Sequence, residues 1–188
     1  MTAVNQQERL PRKERELKYY LAGFIDGEGS FNVSFKPHPS MKLGWVADPA
    51  FQVYQHRDNV EILELISKVL HCGYIRPKSP SSDVLVLIVD NRRTLMEKIV
   101  PFFSKYQLLS KKSSDFEKFK QILLLMEQKV HLRYDGFVKI VDIAMSMNAQ
   151  GKQRKYSKEL ILSQLAKSSE TIRQVPSATD GNDIVRTS

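Results

Sequence analysis

Apolar side chains recur at three- and four-residue intervals from Leu17 through Tyr20, Leu21, Phe24 and Ile25, the period of an amphipathic helix, so a helix is predicted from about Arg15. Gly27 and Gly29 are expected to end it. The next residues, Ser30 Phe31 Asn32 Val33 Ser34 Phe35 Lys36, alternate strictly between polar and apolar, which predicts a strand with one face buried and the other entirely polar. Pro37 and Pro39 break it, and Phe51 Gln52 Val53 Tyr54 Gln55 resumes the alternation as an antiparallel partner across a long connection. Asp58 is expected to cap a helix carrying Val60, Leu63, Leu65, Ile66, Val69 and Leu70, which Gly73 stops.

Two further strands follow: a short one at Tyr74 Ile75 Arg76, and the valine-rich run Val84 to Val89, separated by the turn-forming Lys78 Ser79 Pro80 Ser81 Ser82. Helices are predicted from Asn91 to about Phe103, from about Ser113 to Gln128, from Gly136 to Met147 and, past a basic linker at Ala149 to Lys155, from Ser157 to Leu165. No unit occurs twice. The order helix, two strands, helix, two strands, then helices reads as a single α+β domain over residues 15–168, with a flexible basic arm at 1–14 and a flexible tail at 169–188.

Composition narrows the class. With 41% hydrophobic and 27% charged residues in 188, the chain can bury a core and is expected to fold. No apolar run approaches the roughly 18 residues needed to cross a bilayer, and the polar start MTAVNQQERLPRKERE lacks the apolar core of a signal peptide, so neither a membrane nor a secreted home is expected. The single cysteine, Cys72, can form neither an internal disulfide nor a thiolate metal cluster and suits a reducing interior, such as a microbial cytoplasm or an organelle matrix. A net charge of +8 attracts polyanions such as DNA, RNA or an acidic membrane surface, without choosing among them.

Pattern makes the choice. Leu21 Ala22 Gly23 Phe24 Ile25 Asp26 Gly27 Glu28 Gly29 resembles, at nearly every position, the nine-residue signature of the LAGLIDADG homing endonucleases, and it sits on a helix running straight into a strand, as in that family. The resemblance extends over roughly Tyr19 to Leu165. It implies an αββαββα core with a four-stranded antiparallel DNA-binding sheet and extra C-terminal helices, and a metal-dependent enzyme making double-strand breaks in a long, nearly palindromic DNA site.

The motif also has a physical reading of its own. Gly23 and Gly27 lie four apart with Ala22 beside them, so one stripe of the helix lets another backbone come close. That backbone could belong to the chain's own sheet; in relatives carrying one motif per chain it is the same helix of a second subunit, so a homodimer is implied, with Ala22, Gly23, Asp26 and Gly27 in the interface. Glu28 of each subunit would then face its mate, and two close carboxylates are tolerable only with cations between them. The resemblance implies Mg2+ at Glu28 and the adjoining Gly27, with Mn2+ able to substitute and Ca2+ supporting binding without cleavage; oxygen ligands suit all three. Asp26 matches a signature position of structural character.

The resemblance further implies that Gln55 helps to position the water network and that either Lys111 or Lys112 stabilises charge on the scissile phosphate. Where single-motif relatives carry a basic residue shortly after Gln55, the counterpart here is Asn59, and Arg57 is taken as its substitute. For reading DNA, the polar face of a β-ribbon suits the major groove. Ser30, Asn32, Ser34 and Lys36 form one row, Gln52 and Tyr54 a second, and Arg76 and Lys78, near Asp83, a third. Lys152, Arg154 and Lys155 suit phosphate contact. The histidines, His38, His56, His71 and His131, lack metal-ligand spacing, and no Walker loop or nucleotide fingerprint occurs, so neither zinc nor a nucleotide cofactor is expected. The competing reading is a non-cleaving nucleic-acid binder on the same fold, an intron-splicing helper or a regulator.

Overall fold

The computed structural model describes residues 14–148 and 154–173. Most of the expected arm, Lys152 and the tail beyond residue 173 lie outside the described residues. Helix α1 (Glu14–Glu28) buries Leu21, Ala22 and Ile25 and leads without a loop into β1 (Gly29–Pro37). Gly27 therefore does not end the helix, as expected, but lies inside its last turn. Gly29 is the residue the junction requires: a Cβ there would lie 2.5 Å from Ile25 Cγ2 and 2.7 Å from the Ile25 carbonyl oxygen.

Strand β2 (Trp45–His56) begins six residues earlier than the alternation suggested, because Asp48 Pro49 reads locally as a turn. The position of Pro49 in the ladder explains how a strand tolerates it. Phe31, opposite Phe51, turns its carbonyl away from β2, so Val33 and Pro49, opposite each other two residues on, also point away from one another. Strand β4 (Val84–Val89) pairs with β2 only from Phe51 onward, so the missing N–H of Pro49 falls where no partner strand runs.

A single 3-10 turn (Arg57–Asn59) precedes α2 (Val60–Leu70). Asp58 sits within that turn and does not cap the helix; Asn59 holds the cap position. His71 closes α2 in the left-handed region (φ 52°), and Gly73 at φ 94° turns the chain into β3 (Tyr74–Pro77). The sheet order is β1-β2-β4-β3, antiparallel throughout.

After β4, Asn91 caps α3 (Arg92–Thr94) through its side chain. A π-helical turn over Leu95–Ile99 then leads into α4 (Val100–Lys105). Pro101 has no N–H to give and its ring crowds the preceding turn; the widened turn just before it accommodates both. Helices α5 (Lys112–Glu127) and α6 (Tyr134–Met145) cover the inner face of the sheet, and α7 (Lys158–Arg173) runs past the expected end at Leu165. The centre is aromatic: Phe31 meets Phe51, Phe103, Phe116 and Phe119 at centroid distances of 5.3 to 5.4 Å. Among the described residues no helix is long and apolar enough to cross a membrane.

Candidate active site and nucleic-acid interface

Helix α1 ends on an exposed carboxylate, Glu28, beside two glycines that face solvent: a Cβ on Gly23 or Gly27 would meet nothing within 4 Å. Tyr20, 43% exposed, precedes them on the same helical stripe. Ala22, expected on this stripe, is 3% exposed and turned into the body of the domain. It packs inward because it lies one helical position off the line of Gly23 and Gly27.

Asp26 has an internal task. Its carboxylate accepts the N–H of Leu109 at 3.0 Å, the N–H of Ser110 at 2.9 Å and the Ser110 hydroxyl, so it fixes the loop between α4 and α5. Partial burial alone would raise its pKa. The Ser110 hydroxyl, the two N–H groups and the nearby Lys112 charge outweigh that and hold the carboxyl below its ordinary range.

The pinned loop delivers Lys112 to the end of α1. Its ammonium donates to the carbonyls of Ile25 and Gly27, each at 3.1 Å, at the helix C-terminus where a cation is favoured. Burial lowers the Lys112 pKa, and the charges of Asp26, Glu28 and Asp115 only partly oppose it. Lys111 points to solvent. Of the two lysines the sequence left open, the structure brings Lys112 to Glu28. The Gly27 carbonyl, expected to help hold metal, already accepts from Lys112.

Gln55 lies on the inward-facing side of β2, two residues beyond Val53, the partner of Gly29, so the register sets it beside the junction of α1 and β1. Its carbonyl accepts from Asn59 at 3.3 Å. Arg57 turns elsewhere: it pairs with Asp83 at 3.0 Å, tying the end of β2 to the turn between β3 and β4. Both Arg57 and Asp83 remain exposed.

The outer sheet face carries the expected rows. Ser30, Asn32, Ser34 and Lys36 point outward on β1, Gln52 and Tyr54 on β2, and Arg76 on β3, with Lys78 following it. Lys36 pairs with Asp48, an outward acid that the shortened reading of β2 missed. Tyr74, on the same row as Arg76, was also missed, although its alternation with Arg76 was legible; its hydroxyl donates to Asp90 at 2.8 Å. Between these rows Val86 and Ile88 of β4 also face outward, yet are 2% and 3% exposed, because Tyr54 and Arg76 flank the first and Gln52 and Tyr74 the second.

Arg154 departs from its expected role. Its guanidinium donates to the carbonyls of Ala144 at 2.6 Å and Met147 at 2.8 Å, closing the C-terminal end of α6. Lys155 is exposed, its ammonium 5.4 Å from the Tyr156 ring centroid. Asn148, in the left-handed region at φ 48°, donates to the Phe31 carbonyl at 2.8 Å and so covers the open edge of β1. No local signal marks that contact, which spans 117 residues.

A sequence profile described as LAGLIDADG endonuclease matches residues 21–123. The chain belongs to this LAGLIDADG endonuclease family. It is 39% identical over 142 residues to DNA endonuclease I-CeuI of Chlamydomonas moewusii, a match covering 73% of this chain and 65% of that one. It is 37% identical over 128 residues to the probable intron-encoded endonuclease 3 of Neurospora crassa, covering 68% of this chain and 24% of that one. The archaeal intron-encoded homing endonuclease I-Vdi141I, solved in complex with DNA, superposes with a TM-score of 0.77 at 31% identity, over 84% of this LAGLIDADG chain and 99% of that chain.

Proposed function

We propose that this chain is a homing endonuclease that binds double-stranded DNA with its outer sheet face and cuts both strands at a specific site as a homodimer. The observation carrying this reading is Glu28, an exposed carboxylate at the end of a stripe of open glycines, with the Lys112 ammonium held on the neighbouring carbonyls.

The donor chemistry suits a hard divalent cation such as Mg2+, with Mn2+ as a substitute and Ca2+ as a ligand that supports binding only. Mg2+ keeps several of its waters and is held through one or two carboxylates, so a pair of Glu28 side chains, one from each copy, suits it. Two chains meeting along Gly23 and Gly27 would provide it. When bound, the metal supplies an activated water and charge neutralisation at the leaving oxygen.

The chain's own residues do the rest. The sheet face orients the duplex, Gln55 helps to position the water network at the end of α1, and Lys112 offsets charge gathering on the scissile phosphate. Asp26 keeps Lys112 in place through the loop. A site of this kind works inside a cell, in a cytoplasm or an organelle matrix, where its DNA lies and Cys72 stays reduced.

The test uses a pool of supercoiled plasmids carrying random inserts, incubated with and without Mg2+. Linear product confined to a subset of inserts and to Mg2+ supports the reading. Mobility shift without cutting would favour the splicing helper or regulator.

A further inference from the structure

On the outer sheet face three side chains share one oxygen. The Gln52 Oε1 atom accepts from Asn32 Nδ2 and from the Tyr54 hydroxyl, each at 2.8 Å. The geometry follows from register: Tyr54 lies two residues beyond Gln52 on the same strand face, and Asn32 stands on β1 diagonally across from it. A free glutamine amide can rotate to offer either end, but one whose oxygen holds two donors offers only its N–H groups. Asn32, with one N–H committed to Gln52, keeps its oxygen as an acceptor. Tyr54 is flanked on the same face by Val86, its partner on β4, and the Lys78 ammonium lies 5.8 Å from its ring centroid.

We infer that Tyr54 is a positioning residue for sequence readout: by holding the Gln52 oxygen, it makes Gln52 a fixed donor and Asn32 a fixed acceptor toward neighbouring base edges. The inference rests on the outer face being the DNA-reading surface. A fixed donor selects base-edge acceptors, such as N7 and O6 of guanine or N7 of adenine, and rejects the cytosine amino group. A fixed acceptor beside it selects the amino groups of adenine or cytosine. The pair thus reads with a set polarity, in contrast to the Lys36 and Asp48 pair further along the strands, whose charges largely satisfy each other.

The test is selection of bound duplexes from a randomised DNA library, in Ca2+, by the 188-residue chain and three variants. Tyr54→Phe removes one hydroxyl and should leave the melting temperature and the salt dependence of binding unchanged. Preference at one base pair in each half-site should fall by roughly tenfold, because Gln52, held by Asn32 alone, turns more readily. Asn32→Ser, which leaves that oxygen to Tyr54 alone and removes the acceptor beside it, should loosen the same base pair and its neighbour. Gln52→Glu, an acceptor-only side chain of the same shape, should switch that base pair toward cytosine. Unchanged preference in Tyr54→Phe, or equal loosening at every position, would overturn the inference. Failure of the wild-type protein to enrich any sequence would instead refute the reading surface itself, so the two failures are distinct.

Discussion

Asp26 and Lys112 divide the work around Glu28, and each can be separated by one substitution. The Asp26 carboxylate is stabilised by its charge, and its folded pKa lies below the value near 3.9 of an unfolded chain. Its contribution is therefore complete above that value and fades as pH falls through the lowered folded pKa. Asp26→Asn should cost about 2 kcal/mol of stability at neutral pH, the scale of hydrogen bonds to a charged group. The gap from wild type should close below pH ~4 in urea titrations across pH. A constant gap would mean that shape rather than charge holds the loop. For the lysines, Lys112→Met should reduce single-turnover cleavage roughly a hundredfold while target affinity holds, the scale of losing one charge-stabilising donor. Lys111→Ala should leave the rate nearly intact; equal losses would reassign the pocket. The sequence placed both lysines near the site but could not separate them, since only the loop fixed by Asp26 decides which one reaches α1.

At the scale of elements, the glycines of α1 separate association from folding. Gly23 has open space around it, so Gly23→Leu should leave the monomer folded, with helix stability improved by about 0.5 to 1 kcal/mol, while blocking close approach of a second helix. Light scattering should report a dimer for wild type and a monomer for the variant. Gly29→Ala should do the reverse, destabilising the chain by about 1 to 3 kcal/mol as its methyl meets the Ile25 carbonyl. A monomeric wild type at micromolar concentration would defeat the shared site. Helix α1, strand β1 and all four strand positions were legible because period-2 and period-3.6 patterns are local. Pro49 hid half of β2, since its tolerance depends on the missing neighbour strand, and the inward turn of Ala22 depends on helical phase against the core.

Across the whole molecule, the net charge of +8 acts at a distance, and structure decides which cations are free to meet phosphate. Lys155 is exposed, with only the Tyr156 ring beside its ammonium; Arg154 is committed to the end of α6. Lys155→Ala should lower the slope of log affinity against log salt by about 0.9 per copy for all sequences alike, without changing the melting temperature. Arg154→Ala should lower the melting temperature instead, and the opposite pattern would exchange their roles. The sequence grouped the two because charge runs carry no information about partners 10 and 7 residues away. Family, fold and the position of Glu28 were legible from the nine-residue motif; the loop contacts that complete the site were not, because they join α1 to residues more than 80 positions away.

In the proposed function Glu28 holds metal for cutting and does not hold the fold, the dimer or the DNA. The decisive measurement pairs cleavage in Mg2+ with gel-shift affinity in Ca2+, on one enriched duplex, for wild type and Glu28→Gln. The expected result is loss of cutting with affinity kept, and affinity raised in the absence of metal because two carboxylates no longer repel the backbone. Appreciable cutting by Glu28→Gln would contradict this role, as would loss of binding together with cleavage.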